Sequence, residues 1–391
     1  MSTTEIMTEA WVLHAGTRRK AAHLEPGALH LESFAFPAPT EHEVLAEPLY
    51  GTWEGNMTHA LTRDPVDICL QRGEKKIVLG NGGVVRILQV GSAVTTVQEG
   101  DLCVIFGVDD FDAQGYGQLA VAYDAPGSMG LLAKQIKLPA QQVIPLPQPL
   151  TYSVRQWAVF STRYVSAWSN WQVAYQCWQA QMRGVDPAQT YVVAWGGGVA
   201  LAECTLAQKH GCQAIMIASS DQRLALGRAL GLTMLDRRQF TDLAYDETRF
   251  QSDGNYRKAY RKAEGAFYDA IMDLTRGQGA SIFIDNIGAP VYPATLRALG
   301  RQGVIATCGW KHGMNVTHRR AVECIQRHIH VHTHLAHCSE GVAAVQYAQQ
   351  HDWMSPEPDT IYAWEAVPQL AADYAAGRID SYFPLYTVNP V

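Results

Sequence analysis

Residues 190–212, TYVVAWGGGVALAECTLAQKHGC, decide the fold. The run opens on β-branched and aromatic residues that favour a strand, passes through three glycines, and continues without a gap into an amphipathic helical pattern. A strand that ends in glycines and opens a helix places backbone N–H groups and the positive helix end where a diphosphate can sit. Glycine suits that turn because it is tight, and because a Cβ would hold phosphate oxygens away from the backbone. The candidate cradle is Gly196, Gly197, Gly198, Val199 and Ala200. Its spacing departs from G-x-G-x-x-G: counted from Gly196 the set is Gly196, Gly198 and Leu201, and with Ala200 as the third small residue Trp195 takes the first position. A ligand-free strand-to-helix turn and a dinucleotide site are equal readings of the motif alone. The Trp195 indole either crowds the diphosphate or packs beneath the helix.

The next strand separates these readings. Sites that select NAD hold an acidic residue about 20 residues beyond the glycines to bind the ribose 2′-OH. Here the strand AIMIA ends in Ala218, and Ser219, Ser220, Asp221, Gln222 and Arg223 follow. Hydroxyls at 219 and 220 with the Arg223 guanidinium suit a 2′-phosphate, which a carboxylate at 218 would repel. The expected cofactor is therefore NADPH. N-capping of the following helix is the plainer role for Ser219 and Ser220, and it is compatible with the first.

Outward from this stretch, strands and helices alternate to about residue 335: YVVAW, AIMIA, SIFIDN, GVIATC and IHVHTHL, with helices at LALGRALG, 255–275, ATLRALG and RRAVECIQ. That alternation implies a parallel sheet. Residues 40–150 instead give short strands (EVLAEPLYG, VVRILQVG, DLCVIF, QLAVAY) broken by glycine, proline and aspartate, the pattern of a β-rich domain. The Pro-rich VIPLPQPLTY leads out of it into a helical run at 151–177, and after residue 339 two helices and two short strands complete the chain. At 391 residues the length favours two domains. Hydrophobic residues make up 47% and charged ones 17%, with a net charge of −6, so there is no basic field for nucleic acid or an anionic membrane surface. The N-terminus lacks the basic and apolar regions of a signal peptide, no run of about 18 apolar residues occurs, and eight cysteines are scattered without a CxxC pair. A cytoplasmic protein with reduced thiols and no structural zinc is expected.

The domain order, together with STRYVSAW at 161–168, resembles the medium-chain dehydrogenase/reductase superfamily across the whole chain. SSDQRLALGRALG with LDRR, the helix around NYRKAYRKAEGAFYDAIMDLTRGQGASIFIDNIG, and GVIATCGWKHGM resemble its crotonyl-CoA carboxylase/reductase branch. The resemblance implies an α/β protein: a GroES-like β-rich catalytic domain over 1–155, a Rossmann doubly wound parallel-sheet domain over 156–338, and a return to the catalytic domain over 339–391. It also implies a homodimer. The zinc ligands of the superfamily's alcohol dehydrogenases fall here at Thr52, Asn81 and Ala158, none of which does the work of a thiolate or imidazole ligand, so no catalytic metal is expected. The zinc-free members reduce activated C=C bonds: hydride passes from NADPH to the β-carbon of an enoyl thioester on CoA or an acyl carrier protein, or of a similar conjugated carbonyl, and the enolate is protonated. The Phe-Glu pair that serves carboxylating members falls at Asp112 and Ala113 in FDAQGYGQLA, so reduction with protonation is the simpler expectation. The alternative is the same fold with redox chemistry lost, acting as a cyclase, an isomerase or a binding protein.

In the first loop, LYGTWEGNMTHAL, the resemblance turns Tyr50, Thr52, Glu54 and Asn56 toward the nicotinamide, and a tyrosine or a neutral carboxylic acid there can donate a proton. Lys311 and His312 in GWKHGMN are placed near the substrate mouth, where either stabilises an enolate or binds phosphate. The bland reading of all four candidates, Tyr50, Glu54, Lys311 and His312, is a polar loop or a solvated turn. Thr162, Asn286 with Gly288, Cys308 with Gly309, and His334 match cofactor contacts. His328, His330, His332 and His334 alternate and would share a strand face, but without an interleaved carboxylate or thiolate they read as interface histidines rather than a metal site. Arg257, Lys258, Arg261 and Lys262 give one helix a basic face, whose default reading is a solvated surface.

Overall fold

The computed structural model describes residues 5–17, 24–309, 311–312, 315–318, 320–333, 336–337 and 339–391. The chain divides into two compact units, Met1–Val165 with Ala336–Val391, and Ser166–Leu335. Residues 156–165 thus lie with the β-rich unit, because helix Val154–Val159 packs on strands Glu43–Thr52 and Gly83–Val90.

The first unit is built on a seven-stranded sheet in the order Val143–Pro145, Leu102–Ile105, Gly83–Val90, Glu43–Thr52, Leu385–Thr387 and Ile361–Tyr362, with Ile136–Pro139 also paired to Glu43–Thr52. A three-stranded sheet of Leu29–Pro37, Glu5–His14 and Lys76–Val78 accompanies it. The Glu5–His14/Leu29–Pro37 hairpin was not legible in sequence, where Leu31, Ser33 and Ala35 blur its alternation. The unit's core gathers Val12, Val44, Trp53, Val85, Ile105, Leu132 and Tyr386. Ser153 opens helix Val154–Val159 with a capping box: its hydroxyl accepts the Gln156 N–H at 3.1 Å and its own N–H donates to Gln156 Oε1 at 3.1 Å. The helix then loosens into a single π-helical turn, Phe160–Tyr164, before Val165–Gln181 continues as α-helix. Such turns recur at functional sites.

The second unit is a six-stranded parallel sheet ordered Thr233–Asp236, Gln213–Ala218, Tyr191–Trp195, Ala280–Ile284, Leu299–Thr307 and His330–Thr333. This is the doubly wound dinucleotide order, reversing beside the strand that carries the glycines. The short Thr233–Asp236 strand escaped the pattern reading because only Leu235 in it is buried. On one face Tyr191, Val193 and Trp195 pack with Phe267 and Ile271 of helix Gly254–Leu274. Val192 and Ala194 point the other way, toward the helix Gly198–Lys209.

That second helix buries Glu203 completely, held by Asn170, whose amide donates to the two carboxyl oxygens at 3.0 and 3.2 Å. Burial raises its pKa well above the usual carboxylate value. The unfolded chain ionises this carboxyl first, so stability falls as pH rises above the ordinary carboxylate range and keeps falling until the folded value is reached. Glu203→Gln is expected to remove a slope of up to about 1.4 kcal/mol per pH unit, read from urea midpoints between about pH 5 and pH 8.

Candidate functional site

All five residues of the strand Tyr191–Trp195 are buried, and the chain leaves it through Gly196, whose N–H donates to Ile217 O at 2.8 Å. A Cβ on Gly196 would stand 2.7 Å from that same oxygen, so the turn admits only glycine. Gly197 is extended (φ 166°, ψ 163°), and a Cβ built on it meets nothing within 4 Å. The helix Gly198–Lys209 begins there with no side chain capping it. Its first-turn N–H groups lack intrahelical partners, beside a half-exposed backbone at Gly196, Gly197, Gly198 and Val199, while Ala200 is buried beneath. This is a cradle that a side chain would fill, and it suits a diphosphate.

Trp195 does not enter the cradle. Its indole lies on the opposite face of the sheet, stacked on Phe267 (4.9 Å between ring centres, 20° apart) and tilted against Phe283 at 5.7 Å. Nε1–H donates to Thr295 Oγ1 at 2.7 Å, and the Thr295 hydroxyl reaches Asp285 Oδ2 at 2.8 Å. Asp285 Oδ1 in turn accepts the N–H groups of Ile287 and Gly288 at 2.9 and 3.0 Å. The tryptophan therefore anchors the 286–288 turn of the neighbouring strand. Burial raises the Asp285 pKa, and the donated bonds and Arg237 oppose that rise.

At the end of the second strand, Ser220 is the N-cap of helix Asp221–Ala229, accepting the Arg223 N–H at 3.3 Å, and Ser219 stays exposed. Asp221, the one acid in the segment, is paired with Arg238 at 2.6 Å, and Arg238 also holds Asp236 at 2.7 Å. Lys311 is held below the usual lysine value by desolvation and then by the cations Arg223 and Arg237. Because Lys311 is exposed along its side chain, water screens this effect, and it marks the three cations as neighbours rather than as stored energy. Arg237 also stands 5.5 Å over the Trp195 ring, and burial lowers its pKa against the pull of Asp285. Arg237 was missed in the sequence because only the sheet order brings the Thr233–Asp236 strand beside the Ser219 turn.

The remaining candidates of this unit line adjacent turns. Asn286 Oδ1 accepts the Cys308 N–H at 2.9 Å, and a Cβ on Gly309 would lie 3.2 Å from the Asn286 Cβ. Burial pushes the Cys308 thiol pKa up, with Glu203 adding to it. Lys311 and His312 are exposed, but their backbone is fixed: the Lys311 N–H donates to Asn286 O at 3.2 Å and the His312 N–H to Ile287 O at 2.8 Å. His334 lies outside the described residues. Among the described residues the histidine run forms the strand His330–Thr333, and His328 lies before it at φ 57°, outside the strand. Among the described residues no group of three His, Cys, Asp or Glu side chains is placed to hold a metal.

In the first unit, Thr52 and Thr162 face one another across Gly82: a Cβ there would lie 2.7 Å from Thr52 Oγ1 and 2.1 Å from Thr162 Oγ1. Thr162 Oγ1 donates to Asn81 O at 3.2 Å. Tyr50 sits half-buried within its strand opposite Thr387. Glu54 stands at the N-cap position of helix Gly55–Thr62 without capping it, and instead pairs with Arg163 at 3.3 Å. Arg163 belongs to the π-helical turn, is 3% exposed, and donates from Nη2 to Trp53 O at 2.9 Å. Glu54 Oε1, Asn56 Oδ1, Asn81 Oδ1, Arg163 Nη1 and Tyr386 Oη are all buried and make no hydrogen bond. Arg163 and Tyr386 were not singled out in sequence. The signal for the first was a lone cation inside the apolar helical run of Trp157, Phe160, Tyr164 and Val165.

No family model and no curated protein matches the sequence. Solved structures do. Crotonyl-CoA carboxylase/reductase AntE in complex with NADP aligns with a TM-score of 0.77 at 18% identity, over 98% of this chain and 95% of its own. The 2-octenoyl-CoA carboxylase reductase CinF in complex with NADP and 2-octenoyl-CoA aligns at 0.76 and 17%, over 97% and 87%. An alcohol dehydrogenase from the hyperthermophilic archaeon Aeropyrum pernix aligns at 0.71 and 18%, over 97% and 99%. Strand order, glycine turn and whole-chain alignment agree, and the chain has the medium-chain dehydrogenase/reductase fold, a GroES-like β-rich unit with a Rossmann unit.

Proposed function

We propose that the protein is a zinc-independent, NADPH-dependent reductase of an activated C=C bond in an enoyl thioester carried on CoA or an acyl carrier protein. The observation that carries this reading is the rim beside the glycine cradle: Ala218 where NAD sites keep an acid, an exposed Ser219, and Arg223, Arg237 and Lys311 gathered as neighbouring cations. The residues present fit the cofactor. Gly196–Val199 would hold its diphosphate through backbone N–H groups, and Ser219 with the cations would hold the 2′-phosphate. Bound NADPH supplies a hydride. The protein's part is to orient the acyl chain, to offer donors to the thioester oxygen as negative charge develops on it, and to let a proton reach the α-carbon. Tyr50, Glu54, Lys311 and His312 are the candidates for that work, with Thr162, Asn286, Cys308, Gly309 and His334 beside the cofactor. NADP in the AntE and CinF structures supports the cofactor, and 2-octenoyl-CoA in the latter supports the substrate class.

Plain reduction is proposed over carboxylation. Asp112 is spent on its own turn, accepting the N–H groups of Gln114 and Tyr116 at 2.9 Å each, and Ala113 offers no carboxylate. Exposed Val331 on the edge strand His330–Thr333 and exposed Ile325 support a homodimer. The free thiols among the described cysteines support a reducing, cytoplasmic setting, and among the described residues no helix is long and apolar enough to cross a membrane.

The test is a titration with NADPH and NADH followed by fluorescence and melting temperature, and then NADPH consumption with crotonyl-CoA and 2-octenoyl-CoA. Saturable NADPH binding with turnover supports the proposal. An absence of binding favours a redox-inactive cyclase, isomerase or binding protein. Arg223→Glu is expected to weaken NADPH by about 10- to 100-fold, the worth of one charged hydrogen bond, while NADH changes little.

A further inference from the structure

The end of the second strand in the parallel sheet gathers more negative charge than its own residues show. Ala218 stands where NAD-selective sites keep an acid, but the parallel register sets Asp236 of the neighbouring strand directly beside it. A second carboxylate, Asp221, opens the helix that follows Ser219 and Ser220. Two acids thus adjoin the turn that carries the exposed Ser219 hydroxyl. Left unpaired they would repel a 2′-phosphate, and Asp236 would offer a ribose 2′-hydroxyl the acceptor that position 218 lacks.

Both acids are held by one residue. Arg238 lies on the single 3-10 turn Arg237–Gln239, where Nε reaches the two Asp236 oxygens at 3.0 and 3.1 Å and Nη2 reaches Asp236 Oδ2 at 2.7 Å. The same Nη2 donates to Asp221 Oδ1 at 2.6 Å, so the guanidinium joins the end of one strand to the start of the helix after another. Asp236 is fixed from the backbone as well, because its Oδ1 accepts the Arg238 N–H at 2.9 Å and caps the turn. The bonds from Arg238 hold the Asp236 carboxyl below the usual carboxylate range, and it stays ionised and paired. As an ion pair on an exposed rim the bridge adds little to stability. Its larger consequence is that one cation halves the negative charge of the two carboxylates.

We propose that Arg238 sets the preference for NADPH over NADH without holding the phosphate itself: by binding Asp221 and Asp236 it cancels carboxylates that would repel a 2′-phosphate, and it withholds Asp236 from a ribose hydroxyl. This rests on the NADPH reading above. Arg238 is thereby a positioning residue, acting through the two acids, and the hydroxyl and cations of the rim remain the groups that receive the phosphate.

The experiment measures dissociation constants for NADPH and NADH by fluorescence, at about 20 mM and about 300 mM salt, with melting temperatures as the check on folding. It compares the wild type with R238K, R238Q and the triple variant R238Q/D221N/D236N. R238Q should weaken NADPH about 10-fold at low salt and less at high salt, while NADH stays within about twofold or tightens. The triple variant, in which asparagine at 236 still caps the turn, should bring NADPH back to within about threefold of the wild type. R238K keeps the charge and should stay within about threefold throughout. Should the triple variant fail to fold, R238Q/D221N decides, and it should recover part of the loss. An R238Q that binds NADPH like the wild type overturns the proposal. So does a loss in R238Q that removing the acids does not restore, because Arg238 then touches the phosphate directly. A wild type that binds no NADPH, or binds NADH as tightly, overturns the NADPH reading and this proposal with it.

Discussion

Gly197→Asp is expected to abolish NADPH binding while leaving the protein folded. The backbone at 197 is extended, and nothing lies within 4 Å of a built Cβ, so the new side chain meets no steric obstacle. Aspartate is also a favoured N-cap, and the helix Gly198–Lys209 has no side-chain cap of its own, so stability should hold or rise by a few tenths of a kcal/mol. The same carboxylate would stand where diphosphate oxygens approach the free N–H groups, and like charge would exclude them. At a hundredfold excess over Kd, NADPH should stabilise the wild type by about 2.7 kcal/mol. The variant should show no ligand-dependent shift in melting temperature at the same concentration. A variant that retains the shift would remove the glycine turn from the cofactor site.

The largest loss of stability is expected at Trp195. Its side chain is 1% exposed, stacks on Phe267, and satisfies Thr295 within the Trp195–Thr295–Asp285 chain. Trp195→Ala opens a cavity beneath the long helix and should cost about 3–5 kcal/mol in urea unfolding. Trp195→Phe keeps an aromatic ring against Phe267 and loses one hydrogen bond, a cost nearer 1 kcal/mol. Because the indole and the glycine cradle lie on different faces of the sheet, the phenylalanine variant should bind NADPH within about threefold of the wild type. A large loss of affinity in Trp195→Phe would mean that the indole shapes the cradle after all.

What the sequence made legible follows from the range of the forces involved. The glycine turn, the strand it ends and the helix it opens are local, and residues 190–212 show all three. The missing acid at 218 was equally plain, because its place is counted along one strand. The role of Trp195 was undecided there, since strand alternation tells which residues share a face but not which helix covers it. Ser219 and Ser220 looked alike as hydroxyls, and only the cap geometry separates a half-buried partner of the Arg223 N–H from an exposed neighbour. Arg237 and Tyr386 come to their places through strand pairings between distant segments, such as Tyr386 opposite Gly51. No local pattern reports such a pairing. The histidine run was legible as strand but too long, because His328 turns left-handed before it begins.

The strand Leu385–Thr387 lies between Glu43–Thr52 and Ile361–Tyr362 and not at a margin of its sheet. Consequently the β-rich unit cannot close until its last-made segment has left the ribosome. The unit spanning 166–335 is continuous in the chain and can complete its own sheet earlier in translation. A nascent chain thus carries a finished parallel-sheet unit tethered to an open-edged precursor, and it is in that interval that the growing polypeptide most needs protection from strand-to-strand association.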